Sequence, residues 1–82
     1  MAKRTISDGH SEARRRIDHA RSRSASKLSL GSLGLPELPE SLWELTQLRD
    51  LDLSGNQLLA VPESLEKLYQ LQSLGLSWNQ LS

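Results

Sequence analysis

Between residues 48 and 58 the chain reads LRDLDLSGNQL, and 23 residues later it reads LQSLGLSWNQL. Leucine recurs at Leu48, Leu51, Leu53 and Leu58, then at Leu71, Leu74, Leu76 and Leu81. Asn56 and Asn79 hold the same place in each stretch. The x-Leu-x-Leu-x centre has a period of two, which predicts a short strand with leucines on one face and the intervening residues on the other. Leu51 and Leu53, and likewise Leu74 and Leu76, are expected to point into a core. Ahead of each strand the spacing changes to three. Leu42, Leu45 and Leu48 lie at i, i+3 and i+6, and Leu65, Leu68 and Leu71 repeat them. That spacing predicts a short helix or 3₁₀ piece covering the far side of the core. Pro39 and Pro62 mark where each return segment begins.

Aligning 39–58 with 62–81 gives 13 identities in 20 positions. A further step back of 23 residues reaches ASKLSLGSLGL, residues 25–35. This copy keeps Leu28, Leu30 and Leu35 but carries Leu33 where the later copies have Asn. Strands at a fixed offset stack in parallel, one per repeat. The pattern L-x-x-L-x-L-x-x-N-x-L in a 23-residue unit resembles the leucine-rich repeat family, in its intracellular or bacterial type, over residues 25–82. The resemblance implies an α/β fold: a short right-handed solenoid of about three parallel strands, one per repeat. It divides into a degenerate first repeat at 25–47, a second at 48–70 and a partial third at 71–82. It also implies that Asn56 and Asn79 turn inward and satisfy backbone groups of neighbouring turns.

Charge separates the N-terminal part from the repeats. Residues 1–24 carry seven Lys/Arg against three Asp/Glu, and residues 25–82 carry three against seven, so a net charge of zero joins two opposite regions. Residues 1–10 are expected to be a disordered basic N-terminus. Over 11–24, Ala13, Ile17 and Ala20 form a thin apolar stripe at helical spacing. Glu12 with Arg16, and Arg14 with Asp18, are i,i+4 pairs. The flank is similar to the charged helix that precedes the first repeat in bacterial Roco-like leucine-rich repeat proteins. The resemblance implies a helical cap, because the first turn of a repeat array exposes its leucines. A competing reading gives Arg14, Arg15, Arg16, Arg21 and Arg23 to nucleic acid or an anionic surface. It is disfavoured because no aromatic residue stands among them to stack a base.

Asp50, Asp52, Ser54 and Gly55 imitate the start of a calcium-binding loop. The twelfth position, which must supply a bidentate carboxylate, is Val61. The expectation is therefore no metal. No cofactor is expected either, because no phosphate-binding, zinc-binding or nucleophile motif occurs. With 82 residues and no cysteine, neither a disulfide framework nor a Cys-based zinc site is available. The cytoplasm is the expected location, with no membrane-spanning run. The chain is expected not to be an enzyme.

The remaining expectation is a protein partner. Leucine-rich repeat proteins bind other proteins on the concave sheet face. Carried onto this sequence, that face holds Lys27, Ser29, Asp50, Asp52, Ser54, Ser73 and Ser77. Trp78, in the place of Gly55, would stand at its edge as an anchor or as cover for the core. Trp43 and Tyr69 fall away from the leucine positions and are expected to be partly packed. The sequence stops at NQLS, before another return segment. The expectation is the N-terminal fragment of a longer repeat protein, with self-association through the open end and a leading segment of a Roco-like GTPase as alternatives.

Overall fold

In the computed structural model, residues 6–81 are described, with side chains from Gly9 onward. One α-helix, α1 (Ile6–Arg23), precedes three short strands, β1 (Lys27–Ser29), β2 (Asp50–Asp52) and β3 (Ser73–Gly75). The strands form one open parallel sheet in the order β1-β2-β3. Register follows the 23-residue offset. Lys27 pairs with Asp50 and Asp50 with Ser73, Leu28 with Leu51 and Leu51 with Leu74, Ser29 with Asp52 and Asp52 with Gly75.

Two 3₁₀ helices, Glu40–Glu44 and Glu63–Lys67, return the chain between strands. Pro39 and Pro62 sit at their starts in extended conformation, with φ of −62° and −69°. The amides of Leu42, Leu45 and Leu48 each donate to the carbonyl three residues back, and those of Leu65, Leu68 and Leu71 do the same. Three residues per turn put every third side chain on one side. Leu42, Leu45 and Leu48 are accordingly buried.

The core lies between the sheet and the 3₁₀ segments, with α1 against β1 and the first 3₁₀ helix. Ala13, Ile17 and Ala20 are its helical contribution, and Leu30, Leu35, Leu51, Leu53 and Leu58 come from the strands and the turns after them. Burial fades towards β3. Leu51 and Leu53 are buried, whereas Leu74 and Leu76 are half-buried against the core. Tyr69 corrects the expectation of partial packing by lying 74% exposed, and Trp43 corrects it the other way: it is only 4% exposed. Leucine spacing alone assigned it to the outside, but an indole of this size reaches the core beside Leu42.

The helix begins at Ile6, ahead of the expected start at 11. Gly9 explains part of the extension. A Cβ at Gly9 would run into the carbonyl oxygen of Leu33, so the absence of a side chain lets this turn lie directly on the first repeat. An apolar-stripe criterion gives a glycine no weight. The expected disorder of 1–10 falls partly on residues 1–5, outside the described residues. Asp18 pairs with Arg21 at 3.4 Å and not with Arg14, while Glu12 and Arg16 pair at 2.9 Å as their spacing predicts.

Candidate functional site: the polar face of the sheet

The asparagines fix how one repeat sits on the next. Asn56 is 4% exposed. Its Oδ1 accepts from the amides of Leu33 (3.2 Å) and Leu35 (2.9 Å), and its Nδ2 donates to the carbonyls of Leu30 (3.0 Å) and Leu53 (2.9 Å). Asn79 repeats part of this set, accepting from the Leu58 amide (3.0 Å) and donating to the carbonyls of Leu53 (2.9 Å) and Leu76 (3.1 Å). Each Asn therefore reaches its own repeat and the one before it. Leu33 has no earlier repeat to reach. It packs partly against the core instead, which accounts for the first copy's departure from the pattern. Buried backbone groups that would cost free energy if left unpaired are satisfied by one side chain per turn.

With the leucines and asparagines facing in, the other strand positions face out. The exposed sides of β1, β2 and β3 bound a shallow concavity of about 530 Å³. Lys27, Asp50 and Ser73 form one row across it, and Ser29, Asp52 and Gly75 the next. Five of the eight expected contact residues come together here: Lys27, Ser29, Asp50, Asp52 and Ser73. Ser54, Ser77 and Trp78 follow the strand ends and do not line the concavity.

Asp52 is a half-buried acid with partners of its own. Its Oδ1 accepts from the Ser54 hydroxyl at 2.6 Å and the Ser54 amide at 3.0 Å, an Asx-type turn that closes the end of β2. These bonds, the hydroxyl first, hold its carboxyl below the ordinary aspartate range, and the Ser29 hydroxyl adds to them. Glycines of both neighbouring repeats flank it. A Cβ at Gly75 would stand 2.9 Å from Oδ1, and one at Gly31 3.2 Å from Oδ2. The D-x-S spacing at 52–54 was the available sequence signal for this turn, and the strand pattern masked it.

The chain makes a left-handed turn after each strand. Ser32, Gly55 and Trp78, spaced by 23 residues, have φ of 58°, 72° and 60°. At Gly55 a Cβ would stand 2.8 Å from the Ser32 hydroxyl and 3.1 Å from its amide nitrogen. Trp78 takes the same backbone conformation with a bulky side chain, which L-residues rarely adopt. The residue is 87% exposed. It thus does not cover the core, the alternative weighed for it from sequence.

The basic residues of α1 are partly committed to holding the fold. Arg16 donates to Glu12 and, at 3.0 Å, to the carbonyl of Ser29 on the outer edge of β1. Arg21 reaches Glu44 of the first 3₁₀ helix at 3.0 Å. The Arg16 bond, followed by desolvation acting the other way and the charges of Arg15 and Arg16, leaves the Glu12 carboxyl below its ordinary range.

The fold, its repeat and its polar sheet face define a class, and a family comparison names it. The Leucine Rich Repeat family model matches residues 47–68, which include β2 and the second 3₁₀ helix. Residues 47–68 thus carry a leucine-rich repeat of that family. No curated protein matches it. Among the described residues, no helix is long and apolar enough to cross a membrane.

Proposed function

We propose that the chain is a non-catalytic protein-interaction module built as a short right-handed solenoid, with the polar face of its parallel sheet as the binding surface. The observation that carries this reading is the in-register display of Lys27–Asp50–Ser73 beside Ser29–Asp52–Gly75 on an open concavity. Repeat stacks offer an extended surface of this kind, and the family commonly uses it for protein partners. Charged and hydroxyl groups on rigid strands supply orientation and specificity more than raw affinity. In this reading α1 caps the first repeat, Ile17 and Ala20 shield its core, and Arg16 covers a carbonyl on the edge strand. Trp78, exposed on a strained turn at the rim, is the aromatic anchor. A cysteine-free chain suits a reducing compartment, and we place it in the cytoplasm.

Position-specific photo-crosslinking tests the surface. p-Benzoylphenylalanine is placed at Ser73 on the sheet face, or at Glu66 and Tyr69 on the return segment, and the protein is irradiated in its native cells. The reading expects discrete adducts from Ser73 that are absent from Glu66 and Tyr69. Adducts from the return segment alone, or equally from all three positions, would sink it.

A further inference from the structure

A second concavity of about 460 Å³ runs between α1 and β1 and joins the sheet face at Lys27, Leu28 and Ser29. Its character differs from that of the sheet. Arg15, His19 and Arg23 stand at i, i+4 and i+8, one stripe along α1, with Arg16 beside them and Lys27 opposite on β1. Ala20 and Leu28 lie between the two walls. The Arg15 side chain is 80% exposed. Arg16 is fixed by Glu12 and by the Ser29 carbonyl, which holds a guanidinium at the groove without a search through rotamers.

We propose that this groove docks an extended acidic segment of the protein partner whose body lies on the sheet face. The inference rests on the reading of that face as the partner surface and extends it by one edge. Charge complementarity selects the occupant. Four cationic side chains, Arg15, Arg16, Arg23 and Lys27, line a groove whose walls are a helix and an edge strand. One strand further on, roughly 4.8 Å away, the sign reverses at Asp50 and Asp52. A uniform polyanion following the groove onto the sheet would meet those carboxylates. A protein can place Asp or Glu residues in the groove and Lys, Arg or hydroxyl groups over the sheet. The reversal therefore favours a protein over a nucleic acid and fixes the direction in which the partner lies.

The test uses the full chain and two fluorescein-labelled probes followed by anisotropy: a ten-residue peptide of five glutamates followed by Lys-Ser-Lys-Ser-Lys, and a ten-residue oligothymidylate. Three variants each change the charge equally: Arg15→Glu and Lys27→Glu in the groove, and Arg14→Glu outside it. Thermal unfolding confirms that each variant folds. If Arg15→Glu does not, Lys27→Glu carries the comparison. The proposal expects saturable peptide binding, weakened about fivefold or more by each groove variant and less than about twofold by Arg14→Glu. It expects the oligothymidylate to bind more weakly than the peptide. Equal weakening by all three variants, tighter binding of the oligothymidylate, or no saturable binding of the peptide would overturn it. Crosslinks from Ser73 that persist alongside any of these results would leave the sheet-face reading standing and remove the groove alone.

Discussion

Asn56 makes five hydrogen bonds from a site almost closed to water, and two of them come from the amides of Leu33 and Leu35 in the preceding repeat. Removing the amide strands several backbone groups at once. Asn56→Ala is expected to cost about 1–3 kcal/mol in urea unfolding, and Asn79→Ala less, because Asn79 is only half-buried and makes fewer such bonds. Equal costs would mean that the two asparagines do the same work despite their different surroundings. Trp78 poses the opposite case. Its side chain is exposed and its backbone is strained, so Trp78→Gly is expected to raise stability by about 0.5–1 kcal/mol. A loss of stability on chemical denaturation would show that the indole packs against the chain and would end its assignment as an anchor held ready for a partner.

Elements here are too short to stand alone. Three-residue strands and five-residue 3₁₀ helices depend on the leucines they share. Leu53 is 1% exposed, so Leu53→Ala is expected to cost about 2–5 kcal/mol. The equivalent change at Leu76, half-buried in the next repeat, is expected to cost clearly less when both midpoints are measured. A Leu53→Ala cost within about 0.5 kcal/mol of zero would contradict the strand register. Much of this level was legible in the sequence, because a period of two followed by a period of three fixes which side of each element faces the core. What escaped was whatever the period does not encode. Trp43 aligns with Glu66 of the next repeat, so the repeat gave no reason to bury it. Gly9 joins α1 to Leu33 through the lack of a side chain. Asp52 reads as a surface acid until the turn that brings Ser54 onto its carboxylate is seen.

Across the whole molecule, order and charge both run from one end to the other. The first two repeats and α1 share the best-buried residues, and the third adds half-buried leucines. Asp52 closes the turn after β2, Glu12 bonds the Arg16 that reaches the Ser29 carbonyl, and both carboxyls are held below their ordinary range. For a carboxyl whose folded pKa is depressed, the unfolded chain binds more protons as the medium acidifies. The stabilisation is present above the unfolded pKa and is lost as pH falls through the folded one. The urea midpoint is therefore expected to fall from about pH 4 downward. Asp52→Asn is expected to flatten that dependence in part, whereas a midpoint unchanged between pH 5 and pH 3 would contradict the Asp52–Ser54 turn.

The central claim is that the leucines of each strand face inward and the residues between them form the displayed surface. A chain free of cysteine allows this to be tested with single cysteines. The measurement is the rate of modification by a small thiol reagent under native conditions, with cysteine placed in turn at Asp50, Leu51, Leu53 and Ser73. The account predicts a rate near that of the unfolded chain at exposed Ser73, a rate within about tenfold of it at half-buried Asp50, and rates slower by about a hundredfold or more at Leu51 and Leu53, where reaction must await local opening. Equal rates along the strand, or protection at Asp50 with free reaction at Leu51, would contradict it.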